Sequence, residues 1–407
     1  MSTELIKRGA FTLGALVVCQ IGTYIPLPGV DVAAWGSLFN AQSHGLLGQA
    51  NALSGGAVSR LGIFSLSITP YVSAAIIVQL LAMVSPAIGR RRNDGERGRA
   101  TIELYTRCGT VLLAALQGYG IATGLESAGT VVPEPGLLFR LTTVLTLLAG
   151  TLVLVWLAGR ITERGLGNGI GLILAVGIVT MLPSGIARLL EAGRLGIVAP
   201  GTLLKVLLVV AAVTVLVVVV ERARRRLPVE FAERRVGMQR QTADIALKLN
   251  PAGLMPAFMV GILFEIFLIV LSVVALLTDI SGWVGTLNIT LYAPVRLVGT
   301  AVLIVLLTFV YTAFVCDPEQ MAARLAACGG ALPGIAPGEA TAAYLDRAIS
   351  RSAAIGAAYL VVVMVVPELV SSYLALPLML DGTRILVVVC VVLDLMAEIR
   401  GRLAHAD

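Results

Sequence analysis

Side chains that could do covalent or metal chemistry are scarce in this sequence. There are two histidines, His44 and His405, and five cysteines, Cys19, Cys108, Cys316, Cys328 and Cys390, with no C-x-x-C spacing among them. That set supports neither a zinc site nor a disulfide framework, and two isolated imidazoles are a poor basis for acid–base catalysis. The sequence therefore predicts no enzyme activity, no metal and no cofactor. What stands out instead is charge in unusual places. Glu265 falls near the middle of a long apolar run and Arg384 at the start of another. A charge deep in a bilayer costs roughly a few kcal/mol unless it is paired or wetted. Glu265 stands about two helical turns beyond Phe258 and shares its face, so Glu265 and Arg384 are a candidate intramembrane pair that biases a closed state. Water or protonation at Glu265, with Arg384 snorkelling, is the alternative.

Composition says what must hold these residues. The chain is 57% hydrophobic and 13% charged, with a mean hydropathy of +0.93, whereas a soluble domain carries about 25% charged residues. Apolar runs of membrane-crossing length recur throughout, which predicts an all-α membrane protein with ten transmembrane helices. The expected spans are about Arg8–Ile25, Leu66–Met83, Ile102–Ala122, Leu138–Ala158, Gly169–Met181, Leu203–Val220, Leu254–Leu277, Val295–Val315, Ala353–Val366 and Ile385–Ile399. The fifth is short and is followed by Pro183. The first follows Lys7 and Arg8 like a signal-peptide core, but Pro26, Pro28 and Gly29 come next with no small-residue cleavage pattern, so it reads as a retained helix. An even split gives two halves of five spans, 1–182 and 183–407, the arrangement of many channels and transporters.

Arginine fixes the expected orientation. Arg90, Arg91, Arg92, Arg97 and Arg99 follow the second span, Arg160 and Arg164 the fourth, eight basic residues from Arg222 to Lys248 the sixth, and Arg400 and Arg402 the tenth. With ten spans all of these lie on one side, so both termini are expected in the cytoplasm. Trp35, Trp156 and Trp283 fall where interfacial anchors belong. The segment 316–351 is the exception, with three basic and four acidic residues. No basic stretch interleaved with aromatics suggests a nucleic-acid-binding domain.

A series of short motifs covers nearly the whole chain: Ile25-Pro-Leu-Pro-Gly-Val-Asp31, Ser54-Gly-Gly-Ala-Val-Ser-Arg60, Ile68-Thr-Pro-Tyr-Val72, Gly95-Glu-Arg-Gly-Arg99, Ile161-Thr-Glu-Arg-Gly-Leu-Gly-Asn-Gly-Ile170, Leu247-Lys-Leu-Asn250, Asp317-Pro-Glu319, Pro333-Gly-Ile335 and Tyr344-Leu-Asp-Arg347. Their order and spacing around ten spans resemble the SecY family, channel subunits of the bacterial Sec protein translocase. The resemblance implies a pore that passes unfolded secretory proteins and releases membrane segments sideways into the cytoplasmic, or inner, membrane. It implies an apolar collar, which gates by dewetting, at Ile68, Val72, Leu174, Phe258, Ile262 and Val387. It implies a plug at about 46–60, including Asn51, Ser54, Gly55, Gly56 and Arg60; an external loop with one helical turn is the bland alternative. A lateral gate would carry Ser73, Gln79 and Asn250, which ordinary interhelical hydrogen bonding also explains. The cytoplasmic segments 221–252 and 316–351, with Arg234, Arg235 and Arg240, would dock a SecA motor or a ribosome, whose RNA is a phosphate polymer. SecE-like and SecG-like small subunits, secretory and membrane-protein clients and membrane lipids are the other implied partners.

The sequence departs from the family pattern in the second docking segment. Ala336 stands between Pro-Gly-Ile and Pro-Gly, where family members usually carry arginine, and Ala326 and Ala327 replace an expected basic pair. These losses suggest a divergent or accessory copy. Two other functions remain open: a secondary solute transporter, which Glu265 would suit but which lacks an acidic or histidine relay across several spans, and an inactive SecY-like paralogue.

Overall fold

A computed structural model describes residues 3–42, 51, 53–85, 88–89, 95–196, 201–231, 242–264, 292–374 and 381–404. Glu265, Arg234, Arg235, Arg240 and the start of the expected plug, 46–50, lie outside the described residues. In chain order the elements are α1 (Thr3–Gly22), α2 (Val32–Gln42), α3 (Thr69–Val84), α4 (Gly95–Ser127), α5 (Leu137–Arg164), α6 (Gly169–Arg194), α7 (Thr202–Arg222), β1 (Arg224–Phe231), β2 (Thr242–Lys248), α8 (Met255–Phe264), α9 (Tyr292–Val315), α10 (Pro318–Ala327), β3 (Gly330–Ala331), α11 (Glu339–Tyr373) and α12 (Gly382–Ala404).

Helix is present within each of the ten apolar stretches. Among the described residues seven helices are long and apolar enough to cross a membrane, so this is a multi-pass membrane protein. Thr69–Val84 and Met255–Phe264 are apolar but shorter. Two features go beyond the expected spans. The fifth stretch does not stop before Pro183: α6 runs through it to Arg194. Proline removes one N–H, the one that would have reached the Val179 carbonyl, and crowds that turn, a loss that membrane helices tolerate. The fold is also not purely helical. β1 pairs antiparallel with β2, from Arg224 opposite Lys248 to Glu230 opposite Thr242, and with β3 on its other edge. Leu227 and Val229 alternate with Arg226, Pro228 and Glu230, the period-two pattern of a half-buried strand.

The chain forms two compact units. The first comprises Met1–Lys205, Ser371–Met379 and Val387–Asp407, and the second Val206–Val370 and Leu380–Leu386. These compact units part inside α7.

In the first unit, the proline-rich motif after α1 does three local jobs. Its prolines follow the helix end, its backbone pairs with the strand-like stretch before α3 (Leu27 N to Leu61 O, 2.8 Å; Ile63 N to Ile25 O, 2.9 Å), and Asp31 caps α2 by accepting from the Ala33 and Ala34 amides at 2.9 and 3.1 Å. The turn between α5 and α6 is tied from three sides. Thr12 Oγ1 of α1 accepts from Leu166 N (2.9 Å), Glu398 Oε2 of α12 from Gly167 N (2.8 Å) and Thr162 Oγ1 of α5 from Gly169 N (2.9 Å). A Cβ at Gly169 would lie 2.0 Å from the Ala158 carbonyl oxygen, so only glycine fits there.

In the second unit the sheet, α10 and the start of α11 share one small core. Leu227, Val229, Leu325, Leu332, Leu345 and Ile349 are all buried in it. The segments expected as two separate docking loops thus fold together. Asp317 caps α10 by accepting from the Glu319 and Gln320 amides, with Pro318 in the first turn, the position proline tolerates best.

Candidate channel site

The described part of the expected plug is a tightly bonded stretch seated between α1 and α6 of the first unit. Short polar side chains and glycines build it, because the backbone must turn repeatedly while buried and every buried polar group needs a partner. Asn51 and Ser54 are both 5% exposed. Asn51 Oδ1 accepts from Ser59 N at 2.7 Å and its carbonyl accepts from Gly56 N at 2.8 Å. Ser54 Oγ donates to the Asn51 carbonyl at 3.1 Å. Ser67 Oγ donates to the Leu53 carbonyl at 3.2 Å and Ser65 Oγ to the Ala57 carbonyl at 3.0 Å. Leu61 and Ser67 hold positive φ, at 46° and 52°, a conformation that costs a side-chain-bearing residue about 1–2 kcal/mol. That strain is held by the packing of Leu61, Phe64 and Ile68, all under 9% exposed.

The seat itself is supplied by α1 and α6. On α6, Gly177 meets the backbone of this stretch: a Cβ there would stand 2.9 Å from the Leu53 carbonyl oxygen and 3.2 Å from Gly55 N. On α1, Gln20 Nε2 donates to the Gly55 carbonyl at 3.5 Å. The Arg60 guanidinium folds back so that Nη2 donates to the Gly55 carbonyl at 2.8 Å and to Thr23 Oγ1 at 3.5 Å, and it lies over the Tyr24 ring, 4.0 Å from its centroid. Trp35 of α2 donates Nε1–H to the Val58 carbonyl at 2.9 Å. Beneath the stretch is a cavity of about 20 Å³ lined by Cys19, Gln20, Thr23, Leu53, Ser54 and Ser67, among others. That is room for one water with polar partners around it. Among the plug residues expected from sequence, Asn51, Ser54, Gly55, Gly56 and Arg60 all belong to this assembly. Sequence reading missed Gln20, Thr23, Tyr24 and Gly177. Gln20 and Gly177 leave a signal, an amide and a glycine inside otherwise apolar spans.

The collar positions in the first unit divide. Ile68, wholly buried, belongs to a core with Ala15, Cys19, Phe64, Leu154, Leu172 and Ile173, and Val72 packs against it one turn on. Leu174 and Val387 are also buried, and Leu174 lies about 60° round α6 from Gly177. In the second unit Phe258 is half-buried and Ile262 buried, one turn apart on one face of α8. The gate residues do not form one stripe. Ser73 and Gln79 lie six residues apart on α3, about 120° apart in azimuth. Ser73 Oγ and Gln79 Oε1 are buried with no hydrogen-bond partner among the described residues. Asn250, 1% exposed, is committed within the second unit. Its Nδ2 donates to Glu221 Oε1 (2.9 Å) and to the Gly253 carbonyl (3.0 Å), its Oδ1 accepts from Gly253 N (3.1 Å), and a Cβ on Gly356 of α11 would be 2.9 Å from that oxygen. Arg384 is 3.7 Å from Asp381. Ala326, Ala327 and Ala336 are all exposed, and the Ala336 carbonyl accepts from Thr341 Oγ1 at 2.9 Å. No group of three or more histidine, cysteine, aspartate or glutamate residues among the described residues could hold a metal ion.

Known proteins match this chain over most of its length. The family model described as SecY matches residues 62–396. The protein translocase subunit SecY of Escherichia coli strain K12 is 40% identical over 408 residues, covering 98% of this chain and 91% of that protein. The chain belongs to the SecY family. Solved structures carry the same fold at lower identity. One described as a protein-conducting channel superimposes with a TM-score of 0.67 at 17% identity, covering 98% of this chain and 93% of that one. Sec61 in a canine ribosome–channel complex from the endoplasmic reticulum gives 0.65 at 16% identity, with the same coverage. The seated stretch 51–60, the capped turn after α1 and the α5–α6 turn are thus built here on a SecY-family chain.

Proposed function

We propose that this chain is the protein-conducting subunit of a bacterial Sec translocase, passing unfolded secretory proteins across the cytoplasmic membrane and releasing hydrophobic segments into it. The observation that carries the reading is 40% identity to a translocase SecY over nearly the full length of both chains. The glycine- and serine-rich stretch seated on α1 and α6 gives it a physical counterpart. A segment bonded by hydrogen bonds to neutral acceptors over a small cavity suits a stopper that must leave and return.

In this reading ten helices span the membrane in two halves of five, with both termini in the cytoplasm. Ile68, Val72, Leu174, Phe258, Ile262 and Val387 act as the apolar collar, which needs side chains that close without binding the cargo. Ser73, Gln79 and Asn250 set the cost of lateral opening. A buried hydroxyl and a buried amide oxygen on α3 with no hydrogen-bond partner among the described residues support that role for the first two. Glu265 and Arg384 bias the closed state as an intramembrane pair. SecE-like and SecG-like subunits complete the complex, and a SecA motor or a ribosome docks on the cytoplasmic face, where Arg234, Arg235 and Arg240 supply cation. The exposed alanines at 326, 327 and 336 favour one second reading, a SecY-like paralogue that keeps the fold and has lost docking. Expression with a SecE-like subunit in bacteria depleted of their own SecY decides between them. Restored export of a signal-peptide reporter establishes the channel. A folded, membrane-inserted complex that exports nothing, and still exports nothing after Ala336→Arg, establishes the inactive copy.

A further inference from the structure

Arg60 is oddly placed for a cation. It is half-buried, its two polar partners are neutral oxygens, the Gly55 carbonyl and the Thr23 hydroxyl, and its Nε is buried with no hydrogen-bond partner among the described residues. Its remaining contact is the face of Tyr24, a side chain 61% exposed at the end of α1. The backbone has made way for it. A Cβ on Gly56, which holds φ +86°, would stand 2.6 Å from Arg60 Nη2 and 2.9 Å from Met181 Sδ. Glycine is therefore required both by the backbone conformation and by the path of the guanidinium. The three partners of Arg60 sit on two separate pieces of chain, Gly55 on the plug stretch and Thr23 with Tyr24 at the end of α1.

We propose that Arg60 is a latch, a positioning residue that clamps the stretch 53–60 to the end of α1 and whose release into water precedes displacement of that stretch. The proposal rests on the channel reading above. A carboxylate partner would hold the guanidinium in a charge-assisted pair. Neutral acceptors and a largely exposed ring hold it less strongly, and water can replace both. Of the seat contacts among the described residues, this one alone carries a full charge, so its energy in the seat against its energy in water controls the closed population. Once the stretch leaves, Cys19 is uncovered, since Cys19 lines the cavity beneath Leu53 and Ser54 and is 6% exposed while it is seated.

The test uses that thiol. Cys108, Cys316, Cys328 and Cys390 are replaced by serine, and the rate at which N-ethylmaleimide alkylates Cys19 is measured in native membranes, below the melting temperature of every variant. Arg60→Ala is expected to raise the rate about tenfold or more and Tyr24→Leu about threefold. Tyr24→Phe, which keeps the ring, should leave it unchanged, and the double variant Arg60→Ala/Tyr24→Leu should label no faster than Arg60→Ala. Wild-type labelling in Arg60→Ala, or full multiplication of the two effects in the double variant, overturns the latch. Should Arg60→Ala fail to fold, Tyr24→Leu and Arg60→Lys carry the test, because the first alters an exposed ring and the second keeps the charge but loses the planar stack; wild-type rates in both overturn it. Export of the reporter is scored separately. Export with no labelling effect removes the latch and keeps the channel, whereas the labelling pattern without export keeps the latch on a chain that is not a working translocon.

Discussion

Adding a single methyl group at Gly177 tests whether the plug stretch is held by close backbone approach. In the seated state the alanine Cβ would lie 2.9 Å from the Leu53 carbonyl oxygen and 3.2 Å from Gly55 N. Both atoms are backbone, so the stretch must back away by a few tenths of an ångström. Overpacking of this kind costs about 1–3 kcal/mol, and a single methyl against a segment that is mostly turns after Leu53 belongs in the lower half, about 1–2 kcal/mol. Once the stretch is displaced the methyl meets nothing, so the whole cost falls on the closed state. The open population should rise about 5- to 30-fold. Alanine also stabilises a helix relative to glycine by up to about 1 kcal/mol, but equally in both states. Gly193→Ala on the same helix isolates that part, because a Cβ at Gly193 meets nothing within 4 Å. The assay is ion leak through purified complex in proteoliposomes, with single-channel open probability as a second readout. Gly177→Ala should leak, and Gly193→Ala should leak no more than wild type while melting slightly higher. Equal leak from the two variants would refute the close-approach argument.

Other outcomes follow from the same geometry. Asn250→Asp puts a carboxylate 2.9 Å from Glu221 in place of an amide donor; it should lower the melting temperature at neutral pH and recover part of the loss as the medium is acidified and the two carboxyls share a proton. Glu398→Gln replaces the anion that accepts from Gly167 N and from Arg402; losing charge-assisted bonds of this kind costs about 1–2 kcal/mol, to be read as earlier melting in detergent. Ala336→Arg changes an exposed site, so stability should stay within about 0.5 kcal/mol, while affinity for a SecA motor or ribosomes, measured by co-sedimentation, should rise and fall again with added salt.

Much of this could be read before any coordinates, and the misses have physical causes. Apolar length alone located a helix in every expected span, because a bilayer demands it. The proline-rich motif announced the end of α1 correctly, since two prolines so close together cannot continue a helix. Pro183 misled for the converse reason. A proline inside a membrane helix costs one hydrogen bond, which such helices tolerate, so the stop signal of soluble helices does not carry over. The sheet was hidden because Arg224, Arg225 and Arg226 invite an electrostatic reading that overwrites the alternation of Leu227 and Val229 beside them. Its partner β3 is only two residues long, too short to show any period. Asn250 was legible as important but not in its job. Sequence shows an amide beside a turn and cannot show that its hydrogen bonds all stay within one unit.

The seat also shows why its chemistry looks so unremarkable in sequence. A permanently closed lid would use large apolar side chains and charge pairs, and would stand out. Here the contacts are backbone carbonyls meeting an amide, a hydroxyl and a guanidinium, a glycine where α6 touches the stretch, and a cavity with room for a single water. Neutral hydrogen bonds contribute little net free energy, about 1 kcal/mol each, because water offers the same bonds in the displaced state. Such a seat is specific in shape but shallow in energy. Deepening it is therefore as informative as weakening it. Replacing Thr23 by glutamate would give Arg60 a charged partner across the contact now 3.5 Å long, at a site where the Tyr24 ring already screens one side. A working channel should then leak less and export more slowly, and the first change is decisive. If Thr23→Glu slows export without reducing leak, the stretch does not limit opening, and the closed state is held by the collar instead.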